Sequence, residues 1–278
     1  MHHMKVKIEP YNSNWIKQFE IEECKIKSSL GKNLISIHHI GSTAIPELSA
    51  KPIIDIIVEI DNLEFEHKDL ECLNYEYRGG FNLPLRKCFT YRSSKLNINL
   101  HIFEKNNPEI ELNLLFCDHL KNNDNNKEEY EKLKYKLIKN AKSHQKDNSM
   151  FKNYTLGKHD FIKEILKKTK FNRLRFVICA HFEELNAAKK YRNEYIRNDK
   201  YELTFHDEDH KHFILYEGIK IIGYSHIQLK FEKRAIMHII VIDKNNCTQS
   251  NYDKNYIKEF LFLIDKWLKL QNYIRYDK

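Results

Sequence analysis

The chain has 278 residues, 41% hydrophobic and 12% aromatic, which is enough to build folded cores and excludes a wholly disordered protein. Mean hydropathy is −0.66, and no apolar run reaches the ~18 residues of a membrane-spanning helix, so we predict no membrane partner. The net charge of +8 comes from basic residues interspersed with acids, so we expect no dedicated nucleic-acid surface. No apolar stretch follows the basic start, and without a secretory signal we predict a cytoplasmic location.

Six cysteines are scattered along the chain, and no two of them form a C-x-x-C pair. A zinc knuckle or a disulfide framework shows closer, patterned spacing, so neither is expected here. We predict reduced, mostly buried thiols at all six positions, which are Cys24, Cys72, Cys88, Cys117, Cys179 and Cys247.

In the first half, apolar periodicity predicts a helix over about residues 15–30, followed by strands at 35–40, 53–60 and 97–103. The second of these strands is apolar at nearly every position, so we expect it to be buried on both faces. A charged region at 127–168 has apolar residues at helical spacing. Helices at both ends with strands between them indicate a mixed α/β domain.

The run 167–170 is basic and poor in apolar residues, and a new strand-like run follows it. We therefore predict two domains, residues 1–170 and 173–278. In the second domain the pattern predicts the order β-α-β-β-β-α, with an antiparallel meander in the middle. These elements are expected at residues 175–180, 182–195, 212–216, 221–230, 236–242 and 257–270, with a further strand starting near 273.

A Gly-Ser turn, Gly41-Ser42, directly follows the first predicted strand. Backbone N–H groups and a hydroxyl in such a turn can face a phosphate group. Asp55 on the next strand can hold a Mg²⁺ ion that bridges to the same phosphate, and Lys51 adds a positive charge. The pattern predicts a phosphate-binding site at Gly41, Ser42 and Lys51, with Asp55 as the metal ligand.

The same stretch resembles the signature of a known family, the GrpB family, through IGSTA at residues 40–44 and KPIID at residues 51–55. Further short matches extend the resemblance over about residues 5–170, and they include NLHI at 99–102 and FCDHL at 116–120. The family is assigned a nucleotidyltransferase fold related to polymerase-β-like enzymes. The resemblance therefore implies that fold, a nucleotide bound with Mg²⁺, and catalytic roles for Asp55 and His101.

The chemistry of this site leaves three alternatives open. The nucleotidyltransferase pattern places a second carboxylate two residues after the first, but Ile57 occupies that position, and Glu59 lies ~13 Å from Asp55 along the strand. We then expect Asp55 to pair with Lys51 or His101. The alternatives are a structural turn with a hydrogen-bonded aspartate, phosphate or nucleotide binding without turnover, and nucleotidyl transfer.

Two residues within 116–120 depart from the family pattern. Cys117 stands where relatives have arginine, the natural clamp for a phosphate, and His119 stands where they have tyrosine. The loss of the arginine weakens the case for catalysis. Asp118 remains, and we interpret it as a cap at the start of a helix.

The second half resembles the GNAT superfamily of N-acetyltransferases, chiefly in its central strands at residues 221–229 and 238–243. This resemblance covers about residues 173–278. It implies acetyl-CoA as a ligand, with the pantetheine arm held by backbone groups of three consecutive residues, Ile240, Val241 and Ile242. If acetyl transfer takes place, the candidates for the base are His226 and His238.

The loop at residues 244–253 has no glycine, and Gly223 is the last of seven glycines in the chain. Glycine lets a backbone approach a pyrophosphate closely, so the standard mode of acetyl-CoA binding is weakened. The chain ends at Lys278, before the last strands of that fold, so we predict a shortened GNAT-type domain.

A histidine-rich stretch at residues 206–212 has two interpretations. His210 and His212 would share one face of a strand, and nearby carboxylates would complete a metal site with them. The other interpretation is a polar loop that leads into a strand.

The predicted fold class is α/β (α+β), a polymerase-β-like nucleotidyltransferase fold followed by a truncated GNAT acyltransferase-like fold. The leading function is a transferase-like protein that binds a small-molecule nucleotide or an acyl-CoA. The alternative is a non-catalytic binding or scaffolding protein with two degenerate transferase folds. Such a scaffold would form a homo-oligomer through an unpaired sheet edge.

Overall fold

The computed structural model describes residues 7–142, 154–196, 204–247 and 255–276. The chain divides into two compact units, one of Met1–Gly79 with Arg86–Phe171 and the other of Gly80–Leu85 with Asn172–Lys278. The two-domain prediction did not anticipate that the short segment Gly80–Leu85 belongs to the second unit. Within the described ranges, no helix combines the length and apolar composition needed to cross a lipid bilayer.

The first unit contains a five-stranded sheet made of β1 (Leu34–Ile40), β2 (Ile54–Ile60), β3 (Glu76–Gly79), β4 (Arg86–Arg92) and β5 (Asn97–Glu104). Across the sheet the strand order is β1-β2-β5-β4-β3. The central pair, β2 and β5, is parallel, and the other neighbouring pairs are antiparallel. The sheet is therefore mixed.

One face of this sheet is apolar and covered by a helix. The helices of the unit are α1 (Asn14–Leu30), α2 (Lys68–Cys72), α3 (Pro108–Lys121), α4 (Asp124–Lys142) and α5 (His159–Lys168). Phe19 of α1 stacks on His39 of β1, with ring centroids 4.9 Å apart. His39 lies opposite Ile56, which is fully buried, as are Val58 and Leu100.

The opposite face of the sheet carries polar side chains, because successive residues of a strand alternate between its two faces. Asp55 of β2 and Asn99 of β5 are directly paired, and His101 follows two residues after Asn99 on the same face. This alternation brings residues that are far apart in the sequence to one polar surface.

The second unit contains another five-stranded sheet, made of β6 (Leu174–Ile178), β7 (His210–Glu217), β8 (Lys220–Lys230), β9 (Arg234–Ile242) and β10 (Ile274–Tyr276). The strands lie in the order β10-β9-β8-β7-β6, antiparallel except for the parallel pair β9 and β10. Its helices are α6 (Phe182–Tyr195) and α7 (Tyr256–Leu270).

The two helices of this unit pack on opposite faces of its sheet. Adjacent residues Phe213 and Ile214 of β7 point to opposite sides, Phe213 into the core with α7 and Ile214 into the core with α6. Phe260, Ile264 and Trp267 recur at intervals of three and four in α7 and are buried, which is the pattern of an amphipathic helix. Each face of the sheet therefore has its own apolar core.

Two sheets with helices against them confirm the predicted α+β class, and the helix predicted at 182–195 is α6. The structure adds α2, β3, β4 and α3, which were not predicted from the sequence. The side chain of Asn107 caps α3 by accepting the Glu109 N–H at 3.0 Å, and Pro108 follows the cap. Asp118 lies in the last turn of α3, so its interpretation as a helix-start cap is wrong.

Candidate functional site

The Gly-Ser turn brings backbone directly against the carboxylate of Asp55. Gly41 follows β1 with φ +70°, a conformation that suits glycine, and a short 3₁₀ turn, Ser42–Ala44, comes next. A Cβ at position 41 would lie 2.6 Å from Asp55 Oδ2. Glycine is therefore needed both for the backbone angle and for this close approach.

Asp55 is held by neighbours on the adjacent strand. Asn99 Nδ2 donates to Asp55 Oδ1 at 2.7 Å, and His101 Nε2 lies 3.9 Å from the same oxygen. Burial would raise the pKa of Asp55, but His101, Asn99 and Lys158 outweigh it and lower the pKa. The carboxylate is therefore ionised at neutral pH. The predicted pairing with His101 is observed, and Asn99 is the closer partner.

The Asn99 amide is oriented by an arginine on β4. Arg92 Nη2 donates to Asn99 Oδ1 at 2.6 Å, which turns the amide NH₂ group toward Asp55. Arg92 and Asn99 were not among the predicted site residues. Arg92 lies on β4, which was not predicted, whereas Asn99 lies on the predicted strand β5 but was given no role.

Two lysines approach the turn from different parts of the unit. Lys51 Nζ lies 3.8 Å and Lys158 Nζ 4.5 Å from the centroid of the buried Tyr154 ring. Burial and the charge of Lys158 lower the pKa of Lys51 to about 8, while Asp55 opposes the shift. Burial also lowers the pKa of Lys158. Lys158 was not among the predicted site residues.

A third lysine adds to this positive region. Lys134 is buried and donates through Nζ to the Ser49 carbonyl oxygen. Burial, reinforced by Lys158 and opposed by Glu131, lowers its pKa to about 7. Lysines at 51, 134 and 158 therefore share a desolvated region in which a negative ligand would favour their charged forms.

The other members of the turn contribute polar and apolar contacts. The Ser42 hydroxyl faces the hydroxyl of Tyr130, and the Cys117 thiol faces the Gly41 backbone. Burial raises the pKa of Cys117 to about 11, so a neutral thiol stands where the family resemblance implies an arginine. The positive charge at this turn comes from lysines instead.

The residues at this turn do not fit a pair of magnesium ions. Asp55 is paired across the sheet with Ile40 and Asn99, and the buried Ile57 follows on the same face. Glu59 accepts hydrogen bonds from Ser36 Oγ at 2.9 Å and from the Asn106 N–H at 3.1 Å. One carboxylate supplies too few ligands for two divalent cations, whereas the surrounding lysines carry the positive charge that an anion requires.

In the second unit, the predicted acyl-CoA residues lie at the end of β9. Ile240, Val241 and Ile242 pair with β8 on one side. On the other side, β10 pairs only with Arg234 through Ile236 among the described residues. The backbone edge of Ile240 to Ile242 is therefore open within the described part of the chain.

The loop after β9 is described only as far as Cys247, so most of the predicted glycine-free loop lies outside the described residues. Its beginning is folded onto Asp243. The Asn245 N–H donates to Asp243 Oδ1 at 3.1 Å, and Asn246 Nδ2 donates to Asp243 Oδ2 at 3.0 Å. These asparagines build a turn around an aspartate.

His226 cannot act as the predicted base in this geometry. It is fully buried, with Nδ1 3.0 Å from Arg192 Nη1 and Nε2 2.7 Å from His210 Nδ1. Arginine only donates, so His226 Nδ1 accepts and Nε2 carries the proton. Burial and neighbouring charges lower the pKa of His226 to about 2. His238 Nε2 lies 3.3 Å from Gln228 Oε1 and remains a candidate.

The histidine-rich stretch forms hydrogen bonds that compete with a metal site. Ligand atoms of Asp207, Asp209 and His210 lie within 4.8 Å of one another. However, His210 Nδ1 accepts the proton of His226, so His210 Nε2 carries a proton and faces Asp209 Oδ2 at 3.8 Å. His212 is engaged elsewhere, with Nδ1 2.8 Å from the Tyr224 hydroxyl.

The fold and the turn define a mixed α/β protein with a cationic site beside a Gly-Ser turn. The family model described as "GrpB protein" matches residues 5–168, more than half of the chain. The chain belongs to the GrpB family. That match ends before β6, so the GNAT-type assignment of residues 173–278 stays a prediction.

Curated relatives and a solved structure agree with this family. The chain is 35% identical to UPF0157 protein YqkA of Bacillus subtilis over 189 residues, 64% of this chain and 53% of that protein. It therefore spans about half the length of YqkA. It is 28% identical to glutamate-rich protein GrpB of Alkalihalophilus pseudofirmus, covering 92% of that protein. The crystal structure of conserved protein GrpB from Enterococcus faecalis matches 58% of this chain and 96% of its own, with 31% identity and a TM-score of 0.51.

Proposed function

We propose that the first unit binds a phosphorylated small molecule, a nucleotide in our leading hypothesis, at the Gly41-Ser42 turn. The observation that carries this proposal is the convergence of Lys51 and Lys158 on the ionised Asp55 beside that turn. A phosphate group placed there would neutralise lysines whose charged forms are disfavoured by burial. Backbone N–H groups of the turn and the Ser42 hydroxyl would supply hydrogen bonds.

Binding is favoured over nucleotidyl transfer because, among the residues that the structure describes, no second carboxylate that could hold a metal ion is brought to Asp55. Asp55 and His101 are the residues that we expect to orient the ligand. Asp55 fixes the position of the turn, and His101 holds the carboxylate. A Mg²⁺ ion carried in with the nucleotide would meet Asp55 alone on β2, because Ile57 is apolar.

Calorimetric titration of the full-length protein tests this proposal, with ATP in the presence and absence of Mg²⁺ and with inorganic phosphate. We expect saturable binding that persists in EDTA and that weakens about tenfold in both Lys51→Ala and Lys158→Ala, equivalent to about 1.4 kcal/mol. Lys132→Ala is the matched control, since Lys132 is exposed on α4 and pairs only locally, with Glu128 at 2.7 Å.

Three outcomes would overturn the proposal. These are no saturable signal at millimolar ATP or phosphate, equal affinities in the lysine variants and the wild type, and an equal loss in Lys132→Ala. A signal that appears only with Mg²⁺ would show that the ion is an obligatory part of the site and would restore the transferase hypothesis. Lys158→Arg keeps the charge and separates charge from side-chain shape.

A second candidate function is acyl-CoA binding by the second unit. The open backbone edge of Ile240 to Ile242, beside the parallel pairing of β9 with β10, supports it. Coenzyme A also carries phosphates, so the titration with acetyl-CoA is repeated in Lys158→Ala. A signal that survives this substitution supports a site in the second unit, and a signal that disappears assigns acetyl-CoA to the first. Absence of any signal rejects this candidate.

The non-catalytic scaffold remains the rival class for the whole chain. β10 has three residues, and Ile274 and Tyr276 on it are exposed, so this edge could pair with another copy. Sedimentation of the full-length protein distinguishes the two classes. A stable oligomer without ligand binding favours the scaffold, and a strictly monomeric protein argues against it.

A further inference from the structure

Two arginines lie on the polar face of the first sheet, on the side of Asp55 away from the Gly-Ser turn. Asn99 of β5 is paired with Asp55 of β2 on one side and with Thr90 of β4 on the other. Arg92 Nη2 donates to Asn99 Oδ1 at 2.6 Å. Arg78 of β3 donates through Nε to Thr90 Oγ1 at 3.1 Å. Because Asn99 and Thr90 are directly opposite each other, their hydrogen bonds bring the two guanidinium groups to one place on the face.

Both arginine side chains are exposed, and each keeps donors that a ligand could use. Arg92 donates through Nη1 to backbone carbonyl oxygens and through Nη2 to Asn99. Arg78 donates through Nε to Thr90, and its Nη2 pairs with Glu76 at 2.7 Å. A guanidinium group has more N–H donors than these bonds use, and the bonds hold each group in a fixed orientation.

The charges on this face alternate. The lysines at 51 and 158 lie at the Gly-Ser turn, the carboxylate of Asp55 comes next, and the two arginines follow over β4 and β3. The side chain of Asp55 is 30% exposed, so a ligand that crosses the face passes beside it. A continuous polyanion would meet a like charge at that point. Two acidic groups joined by an uncharged middle part would meet a positive group at each end instead.

The strand order sets the length of such a ligand. From β1, which ends at the Gly-Ser turn, to β4 there are three strand spacings, about 14 Å in total. A hydrogen bond of about 3 Å at each end leaves roughly 8 Å between the two acidic groups. Hydroxyl groups on the middle part could donate to the ionised Asp55.

We propose that the first unit binds a phosphorylated small molecule that carries a second acidic group at its far end, and that Arg78 and Arg92 bind this second group. The inference rests on the proposed function, because it takes binding of the phosphate at the Gly-Ser turn as given. Carboxylates and phosphates both accept paired hydrogen bonds from a guanidinium group, so either can be the second acid. A hydroxylated chain between the two acids suits the position of Asp55.

Three ligands with one carbon chain test the proposal by calorimetric titration of the full-length protein. They are glucitol 6-phosphate, 6-phosphogluconate, which adds a terminal carboxylate, and glucitol 1,6-bisphosphate, which adds a terminal phosphate. We expect at least one of the two diacids to bind about tenfold more tightly than glucitol 6-phosphate. The tighter of the two identifies the second group as a carboxylate or a phosphate.

The same titrations separate this inference from the proposed function. If glucitol 6-phosphate binds and neither diacid binds more tightly, the second acidic group is rejected while phosphate binding at the turn stands. If none of the three binds at millimolar concentration, both proposals are overturned.

Arg78→Gln tests the arginine pair without touching the residues that hold Asp55. It should weaken binding of the tighter diacid about tenfold and leave the affinity for glucitol 6-phosphate unchanged. Lys105→Gln is the matched control, since it removes one positive charge beyond the other end of β5, where Lys105 pairs with Asp61. An unchanged diacid affinity in Arg78→Gln, or an equal loss in the control, would overturn the assignment to the arginines.

Glu76→Gln gives an effect of the opposite sign. Glu76 competes with the ligand for Arg78, so its neutralisation should raise the affinity for the diacid about threefold, a gain that loss of folding cannot produce. Glu128→Gln removes one negative charge from an exposed pair with Lys132 on α4 and should have no effect. A diacid affinity that does not rise in Glu76→Gln, or that rises equally in both variants, would contradict the proposal.

Discussion

Both units contain a five-stranded sheet with a cluster of polar side chains on one face, but the two clusters are built differently. In the first unit, Asp55 is ionised and lysines surround it with their charged forms disfavoured by burial. In the second unit, the buried Arg192 donates to His226 and to the Tyr224 hydroxyl, at 3.0 Å and 2.9 Å. An added anion would stabilise the charged lysines of the first cluster, whereas the side chains of the second cluster form hydrogen bonds with one another.

Arg192 fixes the direction of the hydrogen bond that it makes with His226 and of the one that it makes with Tyr224. His226 accepts from Arg192 and must donate to His210. Tyr224 accepts from Arg192, which leaves its O–H available to donate to His212 Nδ1 at 2.8 Å, and His212 Nε2 lies 3.0 Å from Thr204 Oγ1. His226 is thus neutral, with its proton on Nε2. Burial of a titratable group therefore does not by itself indicate a ligand site. The charges and hydrogen bonds of its neighbours decide whether a ligand would stabilise it.

The two tryptophans of the chain allow each unit to be followed separately. Trp15 lies in α1 of the first unit and Trp267 in α7 of the second, and both are buried. In Trp267→Phe the fluorescence reports the first unit, and in Trp15→Phe it reports the second. Unfolding by urea in these two backgrounds measures how far a change is confined to one unit.

The largest effect is expected from Arg192→Met. This change removes a charged donor from two buried acceptors, His226 Nδ1 and the Tyr224 hydroxyl, and each such bond contributes about 1.5–3 kcal/mol. The free energy of unfolding of the second unit should fall by about 3 kcal/mol, reported by Trp267, while that reported by Trp15 stays constant.

Lys189→Met is the matched control, because Lys189 is an exposed residue of the same helix. It should change the free energy of unfolding by less than about 0.5 kcal/mol. An equal loss in both variants would mean that the Arg192 hydrogen bonds are not what stabilises this cluster. Weaker ATP or phosphate binding in Arg192→Met would show that the two clusters are not independent of each other.

Acid should affect the second unit more than the first. The pKa of His226 is lowered from 6.5 to about 2 by burial and by its neighbours, His212 and Arg192 foremost. The folded unit keeps His226 in its neutral form. The free energy of unfolding of this unit is therefore highest above pH 6.5, and it falls as the pH is lowered. From pH 6.5 to pH 5 the loss is about 2 kcal/mol, because unfolded chains take up a proton that the folded unit cannot.

In the first unit two histidines act in opposite directions over the same pH range. Burial lowers the pKa of His39 to about 4, which costs stability as the pH falls, whereas Asp55 and Cys88 raise the pKa of His101, which adds stability. The midpoint reported by Trp15 should therefore shift less between pH 7 and pH 5 than that reported by Trp267. Equal shifts would show that the histidine cluster is not the acid-sensitive element.

Local sequence patterns predicted most of the helices and strands but not the contacts between them. The helix at 182–195 and the meander of β7, β8 and β9 follow from apolar periodicity, which depends on neighbouring residues only. The strand β4, with the sequence RKCFTYR, was missed because basic residues occupy both of its ends and leave only a short run between them. The Asn107-Pro108 pair at the start of α3 is a local sequence signal for a helix N-terminus.

The residues of the candidate site were likewise predicted only where they lie close together in the sequence. Gly41 and Asp55 were found because a turn and the next strand bring them together within a short stretch. Lys158 and Asn99 reach Asp55 only through the packing of α5 and the register of β5, which no local pattern specifies. His226 was wrongly taken as a base candidate because its tautomer is set by Arg192, 34 residues away in the sequence.

The smallest effects are expected from two glycine substitutions, one in each unit. In Gly41→Ala the new Cβ would lie 2.6 Å from Asp55 Oδ2 and the backbone would keep φ +70°, so Asp55 must move. The first unit should lose about 1–2 kcal/mol, and affinity for ATP or phosphate should fall about tenfold. The change in stability is measured with the Trp15 reporter and the change in affinity by calorimetry.

Gly223→Ala is the counterpart in the second unit. Its Cβ would meet Ile242 Cδ1 at 2.7 Å and the Val241 carbonyl oxygen at 3.0 Å, so the clash is with the end of a side chain and with the backbone of β9. A loss of about 1 kcal/mol reported by Trp267 is expected, with unchanged affinity for phosphate. If both glycine variants weakened phosphate binding equally, the effect of Gly41→Ala would come from general destabilisation. That result would argue against the Gly-Ser turn as the anion-binding site.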